Sequence, residues 1–161
     1  MIDVVKAFAD MAEYWNTNNA CGWCWEFEAP LRESDLNESQ PKSDECCTRV
    51  MATNYRITKS RRYNDHLSTS QESITHNITL RFLRQDDIGK NVYTEQAGHP
   101  LSESKWATIL DPMRQCINFE DACLVLGIVL PITRENWSPV IDEYDGNYTG
   151  WKVDLVITEN I

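Results

Sequence analysis

The stretch Tyr144-Asp145-Gly146-Asn147-Tyr148-Thr149-Gly150-Trp151-Lys152-Val153-Asp154-Leu155-Val156-Ile157 decides the fold. Gly146, Asn147 and Gly150 tolerate positive φ, so the segment reads as a turn that feeds a strand. Trp151, Val153, Leu155 and Ile157 then alternate with Lys152 and Asp154, the period-two signature of a strand with one buried face. A closing strand of this kind needs a sheet to join, and earlier parts of the chain must supply it.

Three earlier segments do so. In residues 23–31, Trp23, Trp25, Phe27, Ala29 and Leu31 point one way while Cys24, Glu26, Glu28 and Pro30 point the other. The three aromatics predict a heavy face packed under a helix, with a ligand-stacking platform as the sharper alternative. A second strand is expected over residues 47–57, with Cys47, Met51, Tyr55 and Ile57 on one parity. The third is the plainest: Ile74, His76, Ile78, Leu80 and Phe82 alternate with Thr75, Asn77, Thr79 and Arg81. Residues 32–45 and 59–72 are almost wholly polar and read as two surface arms. The second arm lies between strands two and three, which predicts a hairpin with a projecting tip.

Helices flank these strands. Val5, Phe8, Ala12 and Trp15 recur at helical spacing in residues 2–16, with Lys6, Asp10 and Glu13 elsewhere on the wheel. Ser102 suits the N-cap of a helix carrying Trp106, Ile109, Leu110, Met113 and Ile117 on one face. Pro112 must either kink that helix or sit in the first turn of a new one that restarts after Asp111. Asn118 is placed to cap a short helix over residues 119–126 ended by Gly127, although residues 123–130 fit a buried strand equally well. Residues 133–139 read as loop and 140–144 as a short strand. Without regular βα alternation, the expected fold is α+β: an antiparallel sheet with helices packed on one face and a long projecting hairpin, in a single domain over residues 1–161.

Composition narrows the function classes. With 42% hydrophobic residues, 6 Trp, 6 Tyr and 4 Phe, the chain of 161 residues is too apolar and too aromatic for a disordered polypeptide. A net charge of -10 argues against a surface built to neutralise phosphates or anionic lipid. The one basic run, Lys59-Ser60-Arg61-Arg62, reads as a solvated loop tip. No apolar run approaches the roughly 18 to 20 residues of a membrane-spanning helix, so no membrane partner is expected.

The opening residues, Met1 to Lys6, lack the basic and apolar regions of a secretory leader, which predicts a reducing cytoplasm and free thiols. On that expectation the sequons beginning at Asn37, Asn77, Asn136 and Asn147 carry no modification. Cys21, Cys24, Cys46 and Cys47 could close a tetrahedral zinc site, but Cys46 and Cys47 are adjacent and would point to opposite faces of a strand. A Cys-x-x-Cys redox pair wants its first cysteine at a helix N-terminus, and this one precedes a strand. Asp142, Glu143, Asp145 and Asn147 miss the calcium-loop spacing, and Asp86-Asp87 reads as solvated loop. His66, His76 and His99 stand far apart; His76, on an apolar strand face, reads as a satisfied core or interface histidine. No catalytic, cofactor-binding or metal-binding residue is nominated, and a non-enzymatic protein is expected.

The order of elements resembles the tail-terminator and tail-completion proteins of long-tailed bacteriophages, and more loosely their head-tail neck proteins. The resemblance is carried by the N-terminal helix, the strand meander with a long hairpin, the helical segment and the closing strands. Locally it rests on Asn147-Tyr148-Thr149-Gly150-Trp151-Lys152-Val153-Asp154-Leu155-Val156-Ile157, similar to the glycine-containing final strand common there. It implies a virion subunit, assembled in the host cytoplasm, that forms a homo-oligomeric ring, commonly a hexamer, capping or joining the tail tube. Its implied partners are other tail or neck proteins, with DNA at most passing through the lumen. The cysteine-rich segment and the arm at 32–45 depart from the pattern. The competing reading is a small zinc- or ligand-binding domain using Cys21, Cys24, Cys46 and Cys47.

Overall fold

A computed structural model describes residues 1–17, 23–29, 48–64, 69–85, 105–143 and 148–160. In chain order these form helix α1 (Val4–Thr17), strands β1 (Trp25–Glu28), β2 (Thr48–Asn64) and β3 (Thr69–Gln85), and a π-helical turn (Trp106–Leu110) that runs into α2 (Asp111–Cys116). Helix α3 (Phe119–Leu126) and strands β4 (Ile132–Glu143) and β5 (Tyr148–Asn160) complete them. The fold is α+β, and its sheet is mostly antiparallel with strand order β1-β2-β3-β5-β4. β1 is the exception, pairing parallel to β2 from Trp25↔Thr48 to Glu28↔Met51.

β3 and β5 form the centre, paired from Ser73↔Asn160 to Gln85↔Tyr148. Their alternation is as read from the sequence: Ile78, Leu80, Phe82, Trp151, Val153, Leu155 and Ile157 are all buried. They form one core cluster with Val50 and Ala52 of β2 and with helical residues that include Phe8, Met11, Trp15, Leu110, Met113, Phe119 and Ala122. Aromatic rings dominate its middle. Trp15 meets Phe82 edge-on at 5.6 Å, and Phe119 packs against both Phe8 and Trp15, arrangements worth about 0.5 to 1.5 kcal/mol per pair beyond the area they bury. Trp25 joins this core, with Trp23 and Phe27 partly buried against it, so the aromatic stripe packs on the core as expected.

Gly150 acts by proximity rather than by an unusual backbone. Among the described glycines only Gly127 has positive φ, whereas a Cβ on Gly150 would run into the Phe82 carbonyl of β3. The close approach of two strands therefore requires the absent side chain. The turn residues Gly146 and Asn147 lie outside the described residues.

Other boundaries differ from the expected ones. β2 continues through residues 59–64 and β3 begins at Thr69, so most of the polar segment 59–72 is paired strand. Polarity misleads there because both faces of this part of the pair meet solvent, which removes the alternation that marks a half-buried strand. β4 spans residues 132–143, absorbing the segment 133–139 read as loop. It pairs only with β5 and shifts register near each end, and an outer strand tolerates Pro139 because that residue's missing N–H costs no ladder bond.

β2 also carries a bulge. Thr53 pairs Thr79 and Arg56 pairs Asn77, so Asn54 and Tyr55 together oppose one residue, with Asn54 at φ 53. A bulge inverts the side-chain alternation beyond it. Met51 consequently belongs to a second small cluster with Leu83, Val140 and Tyr148, while Ile57 pairs His76 on the face of the main core. The expected common parity of Met51, Tyr55 and Ile57 is thus corrected.

In the helical region, Pro112 lies in the first turn of α2, as one alternative had it. The helix does not end and restart there, since Leu110 and Asp111 both keep right-handed helical backbone. A proline cannot donate to the preceding turn, and the adjoining Asp111 N–H reaches back to the Trp106 carbonyl in π-helical register. The Trp151 indole N–H donates to the Leu110 carbonyl at 2.7 Å and ties this segment to β5. α3 is a helix, as its punctuation suggested. The Asn118 side chain accepts from Asp121 N–H at 3.1 Å, and Gly127 ends the helix in the left-handed region. The N-cap at Ser102 lies outside the described residues.

Candidate functional site

The described surface offers three features beyond ordinary packing: the outer part of the β2–β3 pair, a knot of polar groups at its base, and an apolar patch at the far end of α1. The outer pair comes directly from strand length. β5 ends opposite Ser73, whereas β2 and β3 stay paired through Arg61↔Glu72, Arg62↔Gln71 and Tyr63↔Ser70 to Asn64↔Thr69. Arg56 and Lys59 lead along β2 toward this part of the pair and Arg61 and Arg62 lie in it, with Glu72 directly opposite Arg61. Arg61 binds it through Nε at 3.0 Å and through a second guanidinium nitrogen. Tyr63 is 61% exposed and Ile57 44%, large fractions for residues of this size.

At the base of this pair, His76 is fully buried and both ring nitrogens are engaged. Nδ1 lies 2.8 Å from the Tyr55 hydroxyl and Nε2 lies 2.6 Å from Glu159 Oε2. The other oxygen of Glu159 accepts the Ile2 backbone N–H at 3.0 Å. The imidazole and phenol rings stack nearly parallel, 4° apart. The hydrogen bond from His76 holds the Glu159 carboxyl below the ordinary carboxylate range, outweighing the opposing effect of desolvation. Burial, reinforced by the nearby carboxylates of Asp3 and Glu159, raises the Tyr55 hydroxyl. Four elements meet in this knot, β2, β3, β5 and the lead-in to α1, so its chemistry is that of a clasp. His76 is the satisfied core histidine that its strand position suggested.

The third feature lies at the opposite end of α1. Asp10, Glu13, Tyr14 and Thr17 of α1 face Leu126 and Ile128 across a groove of about 340 Å³. Beside it, Leu124 is 82% and Val129 81% exposed, with Val125 also turned to solvent. α3 is capped at both ends yet buries only Phe119 and Ala122 of its apolar side chains. The run that the sequence offered as a core strand therefore lies largely on the surface.

The sheet face opposite the main core is more polar than the sequence suggested. Arg49 and Arg81 are almost completely buried there. Arg49 pairs with Glu28 and lies 3.5 Å from the Tyr148 hydroxyl, and Arg81 donates to Thr53 Oγ1. Thr79 donates to Asp154 at 2.7 Å. Alternation signalled only that these side chains leave the main core; the carboxylate and hydroxyls that receive them come from distant strands. On the core side, the Arg114 guanidinium lies over Trp137 at 4.6 Å.

The cysteine expectation is corrected. Cys24 and Cys116 are disulfide-bonded, not free thiols, and Cys123 is a free thiol whose pKa burial raises. A disulfide sulfur is no thiolate ligand, so the set Cys21, Cys24, Cys46 and Cys47 loses a member for zinc. Cys21, Cys46 and Cys47 lie outside the described residues, as do His66, His99, Asp86, Asp87, Asp145, Asn147 and the arm at 32–45. Among the described residues no group of three or more His, Cys, Asp or Glu converges as a metal site, and no helix is long and apolar enough to cross a membrane. Comparison with protein-family models and with curated proteins finds no match.

Proposed function

We propose that this protein is a non-enzymatic structural subunit of a phage tail or head-tail connector, assembling into a ring that caps or joins the tail tube. The observation that carries the reading is the pairing of β2 with β3 beyond the end of β5, with Tyr63 exposed on it. A two-stranded ribbon of this length buries little of its own surface and adds little to its own domain. Its side chains gain contacts when a neighbouring subunit receives them. On this reading the outer β2–β3 pair is the projecting hairpin, the helices gather on one face of a single domain, and the exposed Leu124, Val125 and Val129 form a second contact region.

The clasp fits the same purpose. Joining the base of the ribbon to β5 and to the start of α1 gives the projection a fixed direction, and a fixed direction lowers the ordering cost of association. The acidic character of the chain suits a conduit wall that does not retain passing DNA. Native mass spectrometry and negative-stain microscopy of the purified protein, alone and with tail-tube and neck proteins, test the reading. Closed rings are expected; a monomer under every condition overturns it.

A further inference from the structure

The geometry points to a specific head-to-tail contact, in which the basic outer β2–β3 ribbon of one copy lies in the acidic, apolar-rimmed groove between α1 and the α3–β4 connection of a second copy. The inference rests on the ring-subunit reading and names the surfaces that would build the ring.

Placement is the first argument. The ribbon leaves the sheet where Glu159 holds Ile2, at the start of α1. The groove lies at the other end of the helix, around Glu13, Tyr14 and Thr17. There Asn16 accepts the Trp25 backbone N–H and Trp15 packs on Phe82, near the end of the sheet opposite the ribbon. At 1.5 Å per residue, the helix separates the two by about 20 Å. The ribbon points away from its own groove, so its cations meet such a groove only on another molecule. Two different surfaces in contact make a heterologous interface, which closes into a ring when the rotation between copies permits.

Charge and shape supply the second argument. Beyond the bulge, period-two alternation sets Ile57 and Lys59, still alongside β5, on one face with Arg61 and Tyr63 of the ribbon, interleaving apolar and cationic side chains. The groove interleaves the complementary types: Tyr14, Leu126 and Ile128 with Asp10 and Glu13. Lys6 already contacts Asp10 at 2.8 Å, which leaves Glu13 as the carboxylate more open to an incoming cation. The basic ribbon stands out from a chain of net charge -10, so the surface best matched to it is found on this protein's own acidic body.

Charge reversal on each side tests the contact, with sedimentation velocity and native mass spectrometry as readouts. The ribbon variant carries Lys59→Glu and Arg61→Glu; the groove variant carries Asp10→Lys and Glu13→Lys. Each alone should raise the apparent dissociation constant of the oligomer by at least about tenfold. Their equimolar mixture should reassemble, because each altered ribbon then faces a groove of opposite sign, and this rescue also shows that both variants are folded.

Wild-type oligomers that survive both reversals would overturn this contact while leaving the ring reading intact. Dissociated variants that fail to reassemble on mixing would overturn the pairing of these two surfaces. A wild-type protein that stays monomeric, alone and with tail proteins, would overturn the ring reading and the contact with it. A ribbon variant that keeps its oligomer but loses binding of a short DNA duplex at physiological salt would assign the ribbon to nucleic acid instead.

Discussion

The inner and outer halves of the β2–β3 pair are one continuous ladder, yet they obey different physics. In the inner half, Val50, Ala52, Leu80 and Phe82 are buried under aromatic rings from α1 and α3. In the outer half the same two strands carry Lys59, Arg61, Arg62 and Tyr63 into solvent. Backbone pairing alone does not make a segment part of the core. The side chains that a third layer covers supply the stability, and those left uncovered remain available for association.

Mutations can break or sharpen this contrast. The largest effect is expected from Phe82→Ala, which removes a ring contacted by Trp15, Trp25, Phe119 and Trp137 and should cost about 3 to 5 kcal/mol in denaturant unfolding. Gly150→Ala should follow. Its methyl group meets a backbone carbonyl that cannot swing aside, so a loss of about 1 to 3 kcal/mol or more is expected in the same measurement.

At the junction between the halves, His76→Ala leaves Tyr55 and Glu159 without their shared partner and should cost about 1 to 3 kcal/mol. Hydrogen exchange should show the loss concentrated in amides near Ile57, Thr75 and Ile2. Equal loss of protection across β5 would mean that the clasp belongs to the global core. Smallest is Tyr63→Ala, expected to change stability by no more than about 0.5 kcal/mol; a loss comparable to that of Phe82→Ala would erase the contrast.

The pH dependence of the clasp follows from Glu159. Its carboxyl titrates lower in the folded protein than in the unfolded chain, chiefly through the His76 hydrogen bond. The ionised form is thus favoured by folding. Its contribution is present above the ordinary carboxylate range and is lost as pH falls through the lowered folded value. Acid titrations of stability should therefore be shallower for Glu159→Gln than for the natural protein, and identical slopes would remove Glu159 from the clasp.

Legibility in the sequence tracked the number of solvated faces. β3 and β5 were readable because each buries one face, so apolar residues fall on alternate positions from Ile74 to Phe82 and from Trp151 to Ile157. α1 was readable from its spacing, whereas α3 was legible from its caps but its apolar second half fitted a buried strand equally well. The outer part of β2 and the middle of β4 were not, because neither carries a clean alternation. Asn54 and Tyr55 gave no signal for the bulge that reverses the facing of β2. The clasp was half visible: His76 on an apolar face asked for partners, but Glu159 is 83 residues away in the chain and only strand pairing brings it near.

By itself the sequence determined the α+β class, the two central strands and the first helix, and offered the capped helix α3 as one of two readings, because local periodicity and capping chemistry are written in neighbouring residues. The tertiary structure decided how far β2 and β3 stay paired, the parallel placement of β1, the role of Gly150 and the disulfide state of Cys24 and Cys116. Each of these depends on which distant segment lies alongside, and the identity of that neighbour is not encoded in any one stretch of chain.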